Sequence, residues 1–175
     1  EFSGKTLAQY IETVGKQVIG TKAPKDKDFP ILIKFIDAKQ SLSVQVHPDD
    51  KYALLHEGES GKTEMWYVMD ATPDATLIYG FTHEISHQEF ERRIKDNTLL
   101  EVCNQVPIKK GDVFFIEAGT LHAIGAGALI AEIQQSSNST YRVYDYGRVG
   151  KDGKLRELHI EKALAVTKLE PPTRK

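Results

Sequence analysis

The stretch SLSVQVHPDDKYALLHEGESGKTEMWYV, residues 41–68, decides how the chain is read, because its alternate positions carry two kinds of side chain. Successive residues of a β-strand point to opposite faces. Leu42, Val44 and Val46 therefore share one side of the first run, and Ser43, Gln45 and His47 share the other. One face is apolar; the other is equipped with an amide and an imidazole. After the turn-rich segments HPDDK and EGESGK, the run GKTEMWYV repeats the arrangement. Lys62, Glu64 and Trp66 lie on one face, opposite Thr63, Met65 and Tyr67.

The alternation recurs downstream. In ALIAEIQQ, Glu132 and Gln134 oppose Ala131 and Ile133, and in TYRVYDY, Arg142 aligns with Tyr144, opposite Tyr141, Val143 and Asp145. Further β-like runs are ILIKFIDA, ATLIYGF, NQVPIKK and DVFFIEA, with KKGD and HAIGAGA as turns. Helical spacing appears in three places. Leu7, Tyr10, Ile11, Val14 and Val18 predict an amphipathic helix over TLAQYIETVGKQVIG, followed by the polar loop TKAPKDKDFP. Ser86 and Glu89 form a capping box opening ISHQEFERRIKDN, and RELHIEKALAVT is helical near the end. Short strands with one interruption predict a mainly β fold, an antiparallel sandwich or jelly-roll barrel with a helical insertion near 86–102 and short terminal helices. A parallel βαβ arrangement would require helices between most strands. The expectation is a single domain over residues 1–175.

Composition excludes several function classes. The chain has 175 residues, 40% hydrophobic and 27% charged, with net charge −2 and no basic block, so no global field attracts nucleic acid or anionic membranes. No apolar run approaches the ~20 residues of a membrane span, and no export signal opens the sequence, so a cytoplasmic location is expected. The single cysteine, Cys103, allows no internal disulfide and reads as a small buried hydrophobe. Gly-rich phosphate loops and GxSxG elbows are absent.

His122 arrives in KKGDVFFIEAGTLHAIG, between two glycine turns. Two imidazoles, a carboxylate and an amide oxygen make a nitrogen and oxygen set that suits zinc, and by ligand type also manganese, iron, cobalt or nickel. Each residue alone has a plainer reading. His47 would be a hydrogen-bonded strand histidine, Gln45 and Glu64 surface groups, Lys62 and Arg142 solvated charges, and Trp66 core. His56, His83, His87 and His159 sit in polar loops or helices and are read as non-ligands.

The blocks LSVQVHPDD, GKTEMWYV, GTLHAIGAGALIAEIQQSSNSTYRVYDYGR and RELH, in that order, resemble the type I mannose-6-phosphate isomerases, zinc-dependent enzymes of the cupin superfamily. The resemblance runs from about Gly4 to Thr167 and implies a cupin jelly roll. It implies one zinc ion per chain, held by Gln45, His47, Glu64 and His122. It gives catalytic roles to Lys62, Glu132 and Arg142, and substrate contacts to Ser43, Lys62 and Arg142. The implied partner is a sugar phosphate, and the implied reaction interconverts mannose 6-phosphate and fructose 6-phosphate through an enediol. Glu132 is narrowly preferred over Lys62 as the base, because a lysine must first lose its proton. Arg142 would place positive charge on the enediolate or the phosphate. The amide at position 45 argues against the three-His set of cupin oxygenases. Family members are generally longer, with a further β domain beyond the equivalent of Lys175. The expectation is that this domain is absent here, that metal binding persists, and that the alternative function is a metal-binding or sugar-binding cupin module without turnover. Oligomeric state is left open.

Overall fold

Where apolar and polar residues alternate, the chain extends. The computed structural model describes residues 2–22, 29–150 and 152–173, and among them nine strands form. These are β1 (Ile31–Ala38), β2 (Val44–Val46), β3 (Glu64–Ala71), β4 (Thr76–Phe81), β5 (Cys103–Pro107), β6 (Val113–Ile116), β7 (His122–Ile124), β8 (Ala128–Gln135) and β9 (Tyr141–Tyr144). They build two sheets, one ordered β1-β8-β3-β6 and the other β5-β4-β7-β2-β9. The pairings are antiparallel. The chain is thus mainly β, two antiparallel sheets with few helices.

Two apolar layers fix how the sheets sit. Trp66, Val68, Leu77, Tyr79, Ile116, Ile124 and Ile130 pack between the sheets. On the far side of the second sheet, Val44, Val46, Phe81, Tyr141 and Val143 pack with Phe90 and Ile94 of α3 (His87–Lys95) and Ala163 of α4 (Ile160–Val166). Strand β2 is therefore covered on its apolar face and only half-buried on the other. Its valines lie under the helices, and Gln45 points to the other side, toward the first sheet.

Helix α3 begins where the capping box places it, with the Ser86 hydroxyl accepting from the Glu89 backbone N–H. The predicted first helix is shorter than its periodicity suggests. α1 spans Leu7–Val14, and Gly15, at φ +101°, ends it before a short 3-10 turn over Lys16–Ile19. Residues 23–28 of the TKAPKDKDFP loop lie outside the described residues. Two expectations are corrected. The stretch HPDDK is a turn only as far as Asp49; from Asp50 it is helix, α2 (Asp50–His56), because the Asp49 carboxylate caps it by accepting from the Tyr52 N–H at 2.8 Å. HAIGAGA is only partly a turn, since His122–Ile124 pairs with β2 and β4.

Candidate metal centre

Cross-strand register gathers the predicted polar residues. Gln45 of β2 sits directly opposite His122 of β7 on one side and Arg142 of β9 on the other. Residues opposite one another in antiparallel strands share a face, with Cβ atoms about 4.5–5.5 Å apart. In the first sheet, Trp66 lies opposite Glu132 and Glu64 opposite Gln134, and all four side chains are buried. The two inward faces meet at Glu64. Its Oε2 is 3.5 Å from His47 Nε2 and its Oε1 is 3.4 Å from His122 Nε2. One ligand atom from each of His47, Glu64 and His122 falls within 4.8 Å of the others. Gln45 Nε2 stands 3.4 Å from His122 Nε2, and exchanging its amide nitrogen and oxygen, which are alike in shape, turns Oε1 toward the same point.

These residues fit a metal on the chemistry of their unpaired atoms. His47 Nδ1 and Nε2 and both carboxylate oxygens of Glu64 are buried without a hydrogen bond. Burying such groups unpaired is costly, and a divalent cation is the partner that satisfies a carboxylate and two imidazoles together. His122 is already oriented for the task. Its Nδ1–H donates to the Thr120 carbonyl at 2.8 Å, which leaves the Nε2 lone pair free. Burial pushes the His47 imidazole down to about 3 and lowers His122 as well, so both rings are neutral, the ligand form. Burial would raise the Glu64 carboxyl, but the close contact of the His47 ring and the charge of the Lys62 ammonium outweigh that and hold it down to about 2.

The turn that delivers His122 is braced from behind. The Gly119 N–H donates to the His47 carbonyl at 2.8 Å, and the Gly119 carbonyl accepts from the Lys168 N–H at 2.8 Å. On the other side, Gly61 passes so close to the start of α2 that a Cβ there would lie 2.3 Å from the Asp49 carbonyl carbon. The Lys62 N–H donates to the Pro48 carbonyl at 3.0 Å. Backbone contacts thus lock the segment carrying Lys62 and Glu64 to the one carrying His47.

Of the remaining predicted residues, Lys62 and Glu132 adjoin this centre, while Arg142 and Ser43 are linked to it only through β2, as its strand partner and its preceding residue. Lys62 is buried, with Nζ 3.8 Å from Glu64 Oε2 and 3.4 Å from Thr140 Oγ1. Burial lowers its ammonium below the usual lysine range, against the pull of Glu64. Glu132 accepts from Trp66 Nε1 at 3.1 Å and pairs with Lys34 Nζ at 3.0 Å. Arg142 shares the Gln45 face, and its Nη1 donates to the Glu157 carbonyl at 2.9 Å. Ser43 is buried just ahead of β2. Lys34, which sequence reasoning missed, also donates to Gln134 Oε1 at 2.5 Å. Its signal was a lone lysine in the apolar run ILIKFIDA, at a position facing inward. Outside the centre, His56 stacks on Tyr52 at 4.1 Å and His83 contacts Thr82. Cys103 is a buried thiol pushed up to about 12 by burial. Among the described residues, no helix is long and apolar enough to cross a membrane.

Comparisons with known proteins agree with this picture. A model of the phosphomannose isomerase type I catalytic domain matches residues 1–74. The chain is 48% identical over 165 residues to a probable mannose-6-phosphate isomerase, GmuF, of Bacillus subtilis, covering 94% of this chain and 51% of that protein. It is 48% identical over 149 residues to the mannose-6-phosphate isomerase of Streptococcus mutans, covering 85% and 46%. The crystal structure of the Bacillus subtilis mannose 6-phosphate isomerase superposes with a TM-score of 0.83 at 41% identity, over 91% of this chain and 50% of that one. The chain spans about half the length of the relatives it matches.

Proposed function

Because the chain belongs to the type I phosphomannose isomerase family, a cupin fold, we propose that it interconverts mannose 6-phosphate and fructose 6-phosphate by proton transfer through an enediol, with one zinc ion held by Gln45, His47, Glu64 and His122. The observation that carries this reading is the buried, unpaired His47 and Glu64, with His122 Nε2 turned to the same point and a lysine beside them. A divalent ion bound there supplies positive charge for the oxyanion that develops at the sugar carbonyl, a stabilisation typically of ~3 kcal/mol or more.

The chain's own residues do the rest. Removing the C2 proton and returning one to C1 requires a carrier that ends the cycle as it began. Both oxygens of Glu132 are engaged, one by Trp66 and one by Lys34, which fixes its position. Lys62 is less tightly held, its Nζ standing 3.8 Å from Glu64 Oε2 and 3.4 Å from Thr140 Oγ1, and burial disfavours its charged form. We therefore place Lys62 ahead of Glu132 as carrier: its amine takes the C2 proton and its ammonium delivers it to C1. Glu132 is then the acceptor for a sugar hydroxyl and the group that steadies Lys34. Arg142, in register with Gln45, holds the phosphate or the enediolate, and Ser43, buried just ahead of β2, is the further substrate contact. The site is a cytoplasmic metabolic one in this reading. A coupled assay on mannose 6-phosphate, with and without chelator, tests it. Chelator-sensitive turnover by zinc-loaded chain supports the isomerase; zinc at one per chain without turnover overturns it in favour of a metal-binding module.

A further inference from the structure

His159 stands outside the predicted site, yet it is bound to Arg142 twice. Strand β9 is the edge of its sheet, so one side of its backbone has no neighbouring strand. An exposed edge must be satisfied by something else. The Arg142 N–H donates to His159 Nδ1 at 3.1 Å, and the Arg142 carbonyl accepts from the His159 N–H at 2.8 Å. Two residues earlier, the Glu157 carbonyl accepts from Arg142 Nη1 at 2.9 Å. The guanidinium Nε is buried without a hydrogen bond, so this carbonyl and the clasped backbone are what aim the head group. Here an imidazole replaces the carbonyl that a paired strand would offer.

The geometry requires one form of the ring. A nitrogen that accepts a backbone N–H carries no proton, so the neutral ring of His159 keeps its proton on Nε2. Its side chain does not cap α4, whose first turn it precedes, so the bond to Arg142 is not a helix-capping contact. The opposite edge of Arg142 is fixed by Gln45, itself beside His122. We propose that His159 is a positioning residue for Arg142: the segment 157–159 acts as a surrogate strand that holds the Arg142 backbone in register with Gln45 and its head group on the Glu157 carbonyl. This rests on the reading of Arg142 as the sugar-phosphate group.

The test compares His159→Asn with His159→Leu in the zinc-loaded chain. Asparagine offers Oδ1 near the place of Nδ1; leucine offers no acceptor. Amide hydrogen exchange at Arg142 should quicken ~10-fold or more in His159→Leu and stay within about threefold of wild type in His159→Asn, the scale of one lost hydrogen bond. Two-bond 15N spectra of the wild type should show the Nε2–H tautomer. In the isomerase assay, His159→Leu should lose ~10-fold or more in kcat/KM at unchanged zinc content, and His159→Asn should restore most of it. An Nδ1–H tautomer, or equal Arg142 exchange in the two variants, overturns the proposal. Loss of turnover in wild type with these exchange differences intact would instead overturn the isomerase reading alone. Unchanged kcat/KM in His159→Leu, in a chain that turns over, would reduce His159 to a structural contact and also overturn it.

Discussion

Replacing Gly61 by alanine probes how the two halves of the centre are held in register. Gly61 is not there for a left-handed backbone, since its φ lies outside that region; it is there because a Cβ would sit 2.3 Å from the Asp49 carbonyl carbon and 2.4 Å from the Asp50 nitrogen. Both obstacles are backbone, and ordinary contact begins at 3.4 Å against the 2.3 Å found here, so the loop carrying Gly61 and the start of α2 must part by about 1 Å. The displaced segments are the ones that carry Lys62 and Glu64 on one side and His47 on the other. Metal sites tolerate ligand displacements of only about ±0.2 Å, so zinc affinity should fall by ~10- to 100-fold. Overpacking of this kind costs ~1–3 kcal/mol, and at ~2–4 °C per kcal/mol for a chain of this size the melting temperature should drop by ~2–12 °C. Competitive chelator titration reads the first quantity and thermal melting of apo chain the second. Gly58→Ala is the control: it has φ +70° but open space around its Cβ, so it should cost stability while leaving zinc affinity unchanged. Wild-type zinc affinity in Gly61→Ala would refute the claim that this close approach sets the ligand spacing.

Three further outcomes are expected. Arg142→Ala should keep zinc at one per chain while turnover on mannose 6-phosphate falls ~100-fold or more; turnover near wild type would remove Arg142 from the reaction. Trp66→Phe leaves Glu132 Oε2 buried without its indole donor and should lower unfolding stability by ~1–3 kcal/mol before any cavity cost, read by urea denaturation; a change under ~0.5 kcal/mol would show that bond to be idle. Glu57 accepts from Lys162 and from the Tyr141 hydroxyl, both at 2.7 Å, and these bonds hold its carboxyl below the ordinary value of 4.5. Its folded value is depressed, so its contribution is fully present above pH 4.5 and is lost as pH falls through the folded value. Glu57→Gln should therefore lose stability at pH 7 and converge with wild type in acid; parallel stability curves across that window would contradict the linkage.

Much of this was legible in the alternation of single strands. β1 and β8 have the bounds the runs ILIKFIDA and ALIAEIQQ suggest, and Glu64, Trp66, Glu132 and Gln134 are buried as their shared faces require. α2 was hidden because HPDD has the composition of a turn, while Asp49 in fact serves as its cap. β7 was hidden because a three-residue run has no period of its own; register with β2 and β4 makes it a strand. What no local pattern contains is the meeting of the ligands. His47, Glu64 and His122 come from two sheets and are far apart in sequence, so their approach depends on strand order rather than spacing. Lys34 and His159 escaped for a related reason: each matters through a partner about a strand away, Glu132 in one case and Arg142 in the other.

Anomalous diffraction at the zinc edge, from crystals of the zinc-loaded chain, is the most direct measurement. A single peak is expected, coordinated at about 2.0–2.2 Å by His47 Nε2, His122 Nε2, a Glu64 oxygen and Gln45 Oε1. A peak elsewhere, or none while these four side chains keep their places, would contradict the account.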